Sequence, residues 1–115
     1  MTKEENEGII QFIGINELSP EEQETVQELA TKAHERITTI LQNITELVVH
    51  IKTYENEGER KKYSLHVRCA APSLMFESEK AHDWDLARAL HKAFNDIEQQ
   101  IKHKLHTDSS RPDTK

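Results

Sequence analysis

Residues 47–69, which read LVVHIKTYENEGERKKYSLHVRC, contain the pattern that decides the fold. Apolar and polar side chains alternate on both sides of a charged segment centred on Gly58. A period of two is typical of a strand with one buried face, so the two arms predict an antiparallel hairpin. If the hairpin is symmetric about Gly58, Val49 should pair with Val67 and Ile51 with Leu65 on the core face, and Val48 with Arg68 and His50 with His66 on the opposite face.

A strand and a helix are predicted before the hairpin. Residues 8–15 are too rich in β-branched side chains for a surface helix, and they predict a strand. Ser19 is suited to cap a helix and Pro20 to its first position, and Glu22 completes the spacing of a capping box. Apolar side chains then recur every three or four residues as far as Ile44, which predicts one buried helix face over that length.

The chain after the hairpin predicts a short strand and a second helix. Pro72 breaks the second arm of the hairpin, and residues 74–76 are assigned to a short further strand. Asp83 is predicted to cap a helix whose apolar side chains keep helical spacing as far as Leu105. Trp84 is expected to anchor the core beneath the N-terminus of this helix rather than to stack on a base.

These elements follow the order β-α-β-β-β-α, which predicts an α+β fold. Its simplest arrangement is a four-stranded sheet with two amphipathic helices packed on one face and the other face open to solvent. We expect a disordered acidic N-terminus over residues 1–7, a single α+β domain over residues 8–106 and a disordered polar tail over residues 107–115.

Length, charge and cysteine content exclude several classes of protein. The 115 residues allow one domain, and the net charge of −6 argues against nucleic-acid binding through total charge alone. Eight acidic residues against one lysine give residues 1–30 a charge of −7, so the remainder carries +1 and must contain any basic surface. Cys69 is the single cysteine, and no apolar run is long enough to cross a bilayer. These features predict a cytoplasmic protein without disulfides or membrane contact.

The second predicted helix carries a family resemblance. Residues 83–90, DWDLARAL, and residues 94–104, FNDIEQQIKHK, resemble the final helix of the ribosome hibernation-promoting factor and ribosome-associated inhibitor family. That helix typically has an Asp, then an aromatic residue, then an apolar stretch with a Leu-Glu-x-Gln-Leu-x-Lys type run, matched here by residues 97–102. Ser19-Pro20 likewise resembles the Thr-Pro that opens the first helix of the family. By order of elements, the likeness extends over residues 9–106.

The resemblance implies a function without catalysis. Members of this family place a four-stranded sheet and two helices in the small ribosomal subunit, where basic residues on the helices contact ribosomal RNA and block mRNA and tRNA. By this likeness the chain would silence translation or protect idle ribosomes in stress or stationary phase, with no cofactor. It differs from better-known members in being acidic overall, and it lacks the additional C-terminal dimerising domain of the long forms, so the likeness is to a short form.

Helical geometry indicates which cations could contact RNA. At about 100° per residue, Arg88, Lys92 and Lys102 lie opposite or beside the apolar stripe of the second helix. Lys32 and Arg36 flank the apolar face of the first helix, and both sets line one groove if the helices pack side by side. Such convergent cations suit phosphate binding, because each contact releases a condensed counterion. The alternative is that they are simply solvated, the late ones being favoured by the helix dipole.

A second hypothesis is a protein-interaction or assembly module that uses the open face of the sheet. Val48, His50, Tyr54 and His66 are expected on that face. Exposed apolar and aromatic side chains on a sheet are typical of a surface that binds a partner or forms a weak homodimer. This hypothesis stands beside the ribosome-binding one as the alternative.

Metal binding and enzymatic activity are not predicted. His50 and His66 lie opposite each other in the expected register, but no cysteine or acidic residue is expected to join them there, and a structural zinc site needs four ligands. The sequence contains no nucleophile elbow, Gly-rich phosphate loop or His-Glu-x-x-His motif. Cys69 is expected to face the core, where a reactive thiolate is disfavoured.

Overall fold

The computed structural model describes residues 10–55 and 61–110, and the predicted N-terminal segment 1–7 and residues 111–115 lie outside that part. Its elements are β1 (Ile10–Ile13), a 3₁₀ turn (Ile15–Glu17), α1 (Pro20–Thr38), β2 (Glu46–Glu55), β3 (Lys61–Ala71), β4 (Leu74–Asp83) and α2 (Leu86–Ser110). The β-α-β-β-β-α order and the α+β class are therefore confirmed. Helix α2 reaches Ser110, four residues beyond the domain boundary expected at His106.

The four strands form one sheet in the order β1-β2-β3-β4, with β1 parallel to β2 and the other pairs antiparallel. The predicted hairpin register is confirmed. Val49 pairs with Val67 and Ile51 with Leu65, and on the opposite face Val48 pairs with Arg68 and His50 with His66. Alternation on both arms excludes a slip of one residue, which would turn every apolar position to solvent, and the symmetric turn about Gly58 selects this register among slips of two.

The core lies between one face of the sheet and the two helices. The inward residues of β2 and β3, such as Val49 and Leu65, are fully buried. They form a single apolar cluster with Ile37 of α1 and Phe94 of α2, which are also buried. Both helices therefore pack on the same face, as predicted, and their polar sides point away from the sheet.

Strand β1 ends earlier than predicted. It stops at Ile13 rather than at residue 15, because Gly14 adopts a left-handed φ of 88° and Ile15 begins a 3₁₀ turn. Ile15 still packs against the core, so its apolar character reflects burial and not strand structure.

Helix α1 begins as predicted and ends before the predicted point. The Ser19 hydroxyl accepts from the Glu22 amide at 3.2 Å, and the Glu22 carboxylate accepts from the Ser19 amide at 2.9 Å, which completes the capping box. The helix ends at Thr38, whereas the apolar pattern runs to Ile44. Ile40, Leu41 and Ile44 do pack against the core, but from a turn that reverses at Asn43 with a φ of 62°. The apolar pattern therefore predicted the buried positions correctly but overestimated the length of α1.

Strand β4 is much longer than the short strand predicted over residues 74–76. It pairs with β3 from Leu74 to Asp83. Its later inward positions are Ser78 and Ala81, which carry too little apolar surface to produce a strand signal. A bulge between them also interrupts the alternation. Strand β4 is long because it pairs with the long strand β3, and this tertiary contact outweighs the weak strand preference of its own residues.

The longer β4 moves the start of α2. Asp83, predicted as the helix cap, is the last residue of β4. Asp85 caps the helix instead, because its carboxylate accepts from the Arg88 amide and its carbonyl from the Ala89 amide, each at 3.0 Å. The prediction that Trp84 anchors the core is also wrong. Its side chain is 41% exposed, and its ring centroid lies 5.7 Å from the Lys62 ammonium.

Glu22 joins α1 to the sheet as well as capping the helix. Its carboxylate accepts a hydrogen bond from the Tyr63 hydroxyl and lies 3.8 Å from the Lys61 ammonium. Partial burial alone would raise the pKa of Glu22, but the hydrogen bonds from Tyr63 and Ser19 and the charge of Lys61 outweigh it, so the pKa is lowered. Burial and the bond to Glu22 raise the pKa of Tyr63 to about 12, so the phenol remains a donor at neutral pH.

We expect Glu22→Gln to destabilise the fold in a pH-dependent manner. The Ser19 amide and the Tyr63 hydroxyl donate to different carboxylate oxygens, and Gln keeps only one oxygen, so the variant removes the charge and one of the two acceptors, a loss of about 1–3 kcal/mol. Because the folded state lowers the pKa of Glu22, its stabilising contribution is present above the unfolded pKa and is lost as the pH falls through the folded pKa. Urea unfolding between pH 7 and pH 3 measures this. A difference between wild type and variant that does not shrink on acidification would contradict the assignment.

Candidate nucleic-acid interface

A groove between α1 and α2 brings together three of the five predicted RNA-binding cations. It has a volume of about 470 Å³ and is lined by Arg36, Arg88, His91, Lys92, Asn95 and Glu98. Helical spacing explains why the five residues from α2 lie together, because side chains three and four residues apart on a helix share one face. We call this surface the helix groove.

Arg36 crosses the helix groove from the last turn of α1. Its Nε donates to the Glu98 carboxylate at 3.0 Å, and its Nη2 lies 2.9 Å from the same oxygen. The guanidinium side chain is 50% exposed while the Glu98 side chain is 13% exposed. The carboxylate thus lies beneath the cation and orients it, and the outer N–H groups of Arg36 remain accessible from solvent.

Asp83 has the same role for the two cations of α2. The Lys92 ammonium lies 2.9 Å from the Asp83 carboxylate and donates to the His82 carbonyl at 3.2 Å. Arg88 approaches the other carboxylate oxygen at 3.9 Å. The hydrogen bond from Lys92, that from the Asp85 amide and the charges of Lys92 and Arg88 lower the pKa of Asp83 to about 2. Asp83 is therefore ionised throughout the physiological range.

The relative exposure of these charges determines what the helix groove presents to solvent. The side chains of Arg88 and Lys92 are 67% and 52% exposed, against 11% for Asp83. Three outward cations and two recessed carboxylates give a local charge of +1 in a chain whose total is −6. An approaching anion meets the cations first, and cations held in position lose less side-chain entropy when they bind it.

The other two predicted residues lie elsewhere. Lys102 is exposed on α2, two helical turns beyond Asn95, and extends the same face of the helix. Lys32 is exposed on α1 and pairs with Glu28 at 3.5 Å. It lies in a second, acidic cleft lined by Glu24, Gln27, Glu28, Thr31, Lys32 and Glu35. The expectation that Lys32 and Arg36 line one groove is therefore wrong for Lys32.

Sequence reasoning missed two residues that line the helix groove, His91 and Asn95, and the two carboxylates that orient its cations. His91 and Asn95 follow from Arg88 at steps of three and four, so the helical spacing contained the signal for them. Asp83 and Glu98 had no such signal. The contact of Asp83 depends on how far β4 extends, and that of Glu98 depends on how the two helices are juxtaposed.

A second run of basic residues, Arg60 to Lys62, and the single cysteine do not add to this site. Lys61 contacts Glu22 and Lys62 lies over Trp84, while Arg60 is outside the described residues. Cys69 is buried, and this burial raises the pKa of its thiol to about 11. The thiol is thus protonated at neutral pH and unsuited to nucleophilic attack.

Comparisons with known proteins add no functional assignment. A scan against protein-family models and a search of curated proteins both gave no match. Within the described residues, neither helix has the length and apolar character needed to cross a membrane. Functional interpretation therefore starts from the helix groove and from the motif resemblance in α2.

We expect Asp83→Asn to strengthen binding of a polyanion to the helix groove. The substitution removes one recessed negative charge, so the local charge rises from +1 to +2, while the amide oxygen can still accept from the Asp85 amide. Affinity for purified small ribosomal subunits at low salt should rise by about two- to tenfold, with a steeper salt dependence. Filter binding over a KCl series measures both.

Glu24→Gln is the matched control for Asp83→Asn. It makes the same change in total charge at the acidic cleft, away from the helix groove. Equal effects of the two variants would mean that total charge alone governs binding. Weaker binding by the Asp83 variant would contradict the prediction and would mean that the orientation of Arg88 and Lys92 by Asp83 matters more for anion binding than its negative charge.

Proposed function

We propose that this chain is a non-enzymatic ribosome-binding factor that occupies the small subunit and silences translation or protects idle ribosomes. The observation that carries the proposal is the helix groove, where Arg36, Arg88 and Lys92 converge from two helices. Phosphate recognition requires this kind of display, and it arises in a chain whose total charge is negative.

The architecture and the motif resemblance support the same proposal. The single four-stranded sheet with two helices on one face agrees with the arrangement that the resemblance implies. Residues 97–102, which carry the motif likeness, place Glu98 against Arg36 and leave Lys102 exposed. The motif therefore contributes to the surface that contacts RNA in this proposal.

The proposed mechanism is occlusion. The helices would lie on ribosomal RNA with the cations of the helix groove against its phosphates, and the bulk of the domain would exclude mRNA and tRNA. No bond is made or broken, so the activity depends on affinity and on shape. The acidic cleft beside Lys32 faces away from RNA in this arrangement, because its carboxylates repel phosphates.

Co-sedimentation tests the proposal directly. The full chain is mixed with purified small subunits at low salt and centrifuged through a sucrose gradient, with Arg36→Gln as the probe of the helix groove. We expect the wild type to migrate with the subunit and the variant to be partly released. A wild-type chain that remains at the top of the gradient at low salt would overturn the proposal.

A second candidate function is assembly through the open face of the sheet. Ile13, Tyr54 and Met75 lie at outward positions of β1, β2 and β4 and are 48%, 50% and 57% exposed. Val48, which was expected to be exposed there, is buried. The three exposed side chains favour contact with another protein surface or a second copy. Sedimentation equilibrium of the wild type and Tyr54→Ser at increasing concentration tests whether a weak dimer forms through this face.

A further inference from the structure

We propose that the open face of the sheet holds a divalent transition-metal ion, with Zn²⁺ as the reference ion, on His66, Glu77 and Glu79. The three side chains come from β3 and β4, on the face opposite to the helices. Their ligand atoms all lie within 4.8 Å of one another. The proposal is independent of ribosome binding, because the cluster and the helix groove lie on opposite sides of the sheet.

The cluster spans two neighbouring strands on the open face of the sheet. Val67 pairs with Ser78, and Glu79 follows opposite His66, where a bulge also admits Lys80 before Leu65 pairs with Ala81. Ser78 and Ala81 are buried and Glu79 is exposed, so Glu79 projects from the open face. Glu77, two residues earlier, projects from the same face, where it is the partner of Arg68. Regular alternation from Glu77 to Glu79 therefore places both carboxylates beside His66.

The distances are those of a site that needs only side-chain adjustment. The His66 Nε2 atom lies 3.7 Å from a Glu79 oxygen and 4.0 Å from a Glu77 oxygen. Two ligands each about 2.1 Å from a tetrahedral zinc ion lie about 3.4 Å apart. The two distances from His66 to the carboxylates therefore need to shorten by only a few tenths of an ångström to reach the spacing of zinc ligands. Rotation about the flexible Glu side chains can supply that change.

Charge and backbone support favour ligation over a simple ion pair. In the described part of the chain, the ion pairs of Glu77 and Glu79 both go to His66, whereas Arg68 pairs with Glu46 at 3.8 Å. One imidazole cannot balance two carboxylates, but a divalent ion can. The backbone of β4 is also held at this point, because the Glu77 carbonyl accepts from the Gln100 side chain of α2 at 2.7 Å.

One imidazole and two carboxylates form the set of protein ligands. His50 lies opposite His66 on β2, on the other side of β3 from Glu77 and Glu79, and it is not among the side chains whose ligand atoms lie within 4.8 Å of one another. A set that includes an imidazole suits Zn²⁺ and the neighbouring first-row divalent ions better than Mg²⁺ or Ca²⁺, which prefer oxygen ligands alone. The earlier expectation that no acidic residue joins the histidines on this face is wrong for His66, because it rested on a β4 that ended at Phe76.

Calorimetric titration of the full chain with Zn²⁺ at pH 7.5 tests the proposal. We expect one ion per chain with a Kd on the order of 10 µM or tighter. His66→Ala should abolish binding, and Glu77→Gln and Glu79→Gln should each weaken it at least about tenfold. Saturating Zn²⁺ should raise the Tm of the wild type by several degrees and leave that of His66→Ala unchanged.

His103→Ala is the matched control, since it removes an exposed histidine from α2, away from the sheet. It should bind Zn²⁺ as the wild type does. Equal Zn²⁺ affinity in wild type and His66→Ala, or loss of binding in His103→Ala, would overturn the proposal. Circular dichroism of each variant shows that the fold is retained. Because His66→Ala leaves the helix groove intact, it should also co-sediment with small subunits as the wild type does.

Discussion

Reversing Arg88, Lys92 and Lys102 to Glu is expected to abolish binding to the small ribosomal subunit. Each cation that meets a phosphate contributes about 0.9 to the slope of log K against log salt, so losing three should flatten the salt dependence by nearly three units. Affinity at low salt should fall by at least about a thousandfold, since the variant also repels RNA. Filter binding and gradient co-sedimentation over a KCl series measure both effects.

These three substitutions should leave the core intact, but they change the electrostatic surroundings of Asp83. All three side chains are exposed, and the apolar stripe of α2 remains intact. Glu at positions 88 and 92 would, however, place new carboxylates beside Asp83, which now pairs with both cations. The corresponding triple Gln variant avoids that repulsion. It should lose most of the binding while keeping the wild-type circular dichroism spectrum and nearly the wild-type Tm.

The matched control reverses Arg60, Lys61 and Lys62 to Glu, a second run of basic residues at the start of β3. It makes the same change in net charge at residues that do not line the helix groove. Lys61 pairs with Glu22 and Lys62 lies over Trp84, so a small loss of stability is expected. Equal loss of ribosome binding in both triple variants would show that only total charge matters and that the helix groove is not the contact surface.

Gly14→Ala is expected to destabilise the fold by about 3 kcal/mol, which lowers the Tm by roughly 15 °C in a domain of this size. Gly14 has a φ of 88°, a left-handed conformation that Ala adopts only with strain. A Cβ atom at this position would also overlap the backbone oxygen of Ile51 on β2. Relief of that overlap requires β1 to move away from β2 at the edge of the sheet. Thermal and urea unfolding measure the loss.

Asn16→Ala is the control for this prediction. Asn16 is exposed in the adjacent 3₁₀ turn, and its substitution should change the unfolding free energy by no more than about 0.5 kcal/mol. If Gly14→Ala were as stable as the control, the chain would not need the left-handed turn at residue 14. The path from β1 to α1 would then differ from the one described.

Elements whose signal is local were predicted well. The register of the central hairpin was correct residue by residue, because the alternation fixes which face is buried and the charged turn centred on Gly58 fixes which of the pairings two residues apart is formed. The start of α1 was correct, because the Ser19 and Glu22 capping box is complete within four residues. Arg36, Arg88 and Lys92 were placed in one groove from helical spacing and the assumption that the helices pack side by side.

Elements that depend on a distant partner were not predictable in the same way. Strand β4 continues past Phe76 because its backbone forms hydrogen bonds with β3. The small side chains of Ser78 and Ala81 give no indication of this pairing in the sequence. The displaced helix cap at Asp85, the exposure of Trp84 and the cluster at His66 all follow from that extension. Gly14 gave no sign of its role, because the obstacle to a side chain there is the backbone of β2.

The sequence by itself determined the order of the elements, the hairpin register and the buried face of each helix, because periodic burial of apolar side chains and the turn centred on Gly58 specify them. Only the tertiary structure decided which charges act together. Asp83 meets Lys92 from the end of a strand, Glu98 meets Arg36 across two helices, and Glu79 meets His66 across two paired strands. The partners of charged surface side chains cannot be inferred from sequence periodicity, because packing of the apolar core decides which chain segments come together.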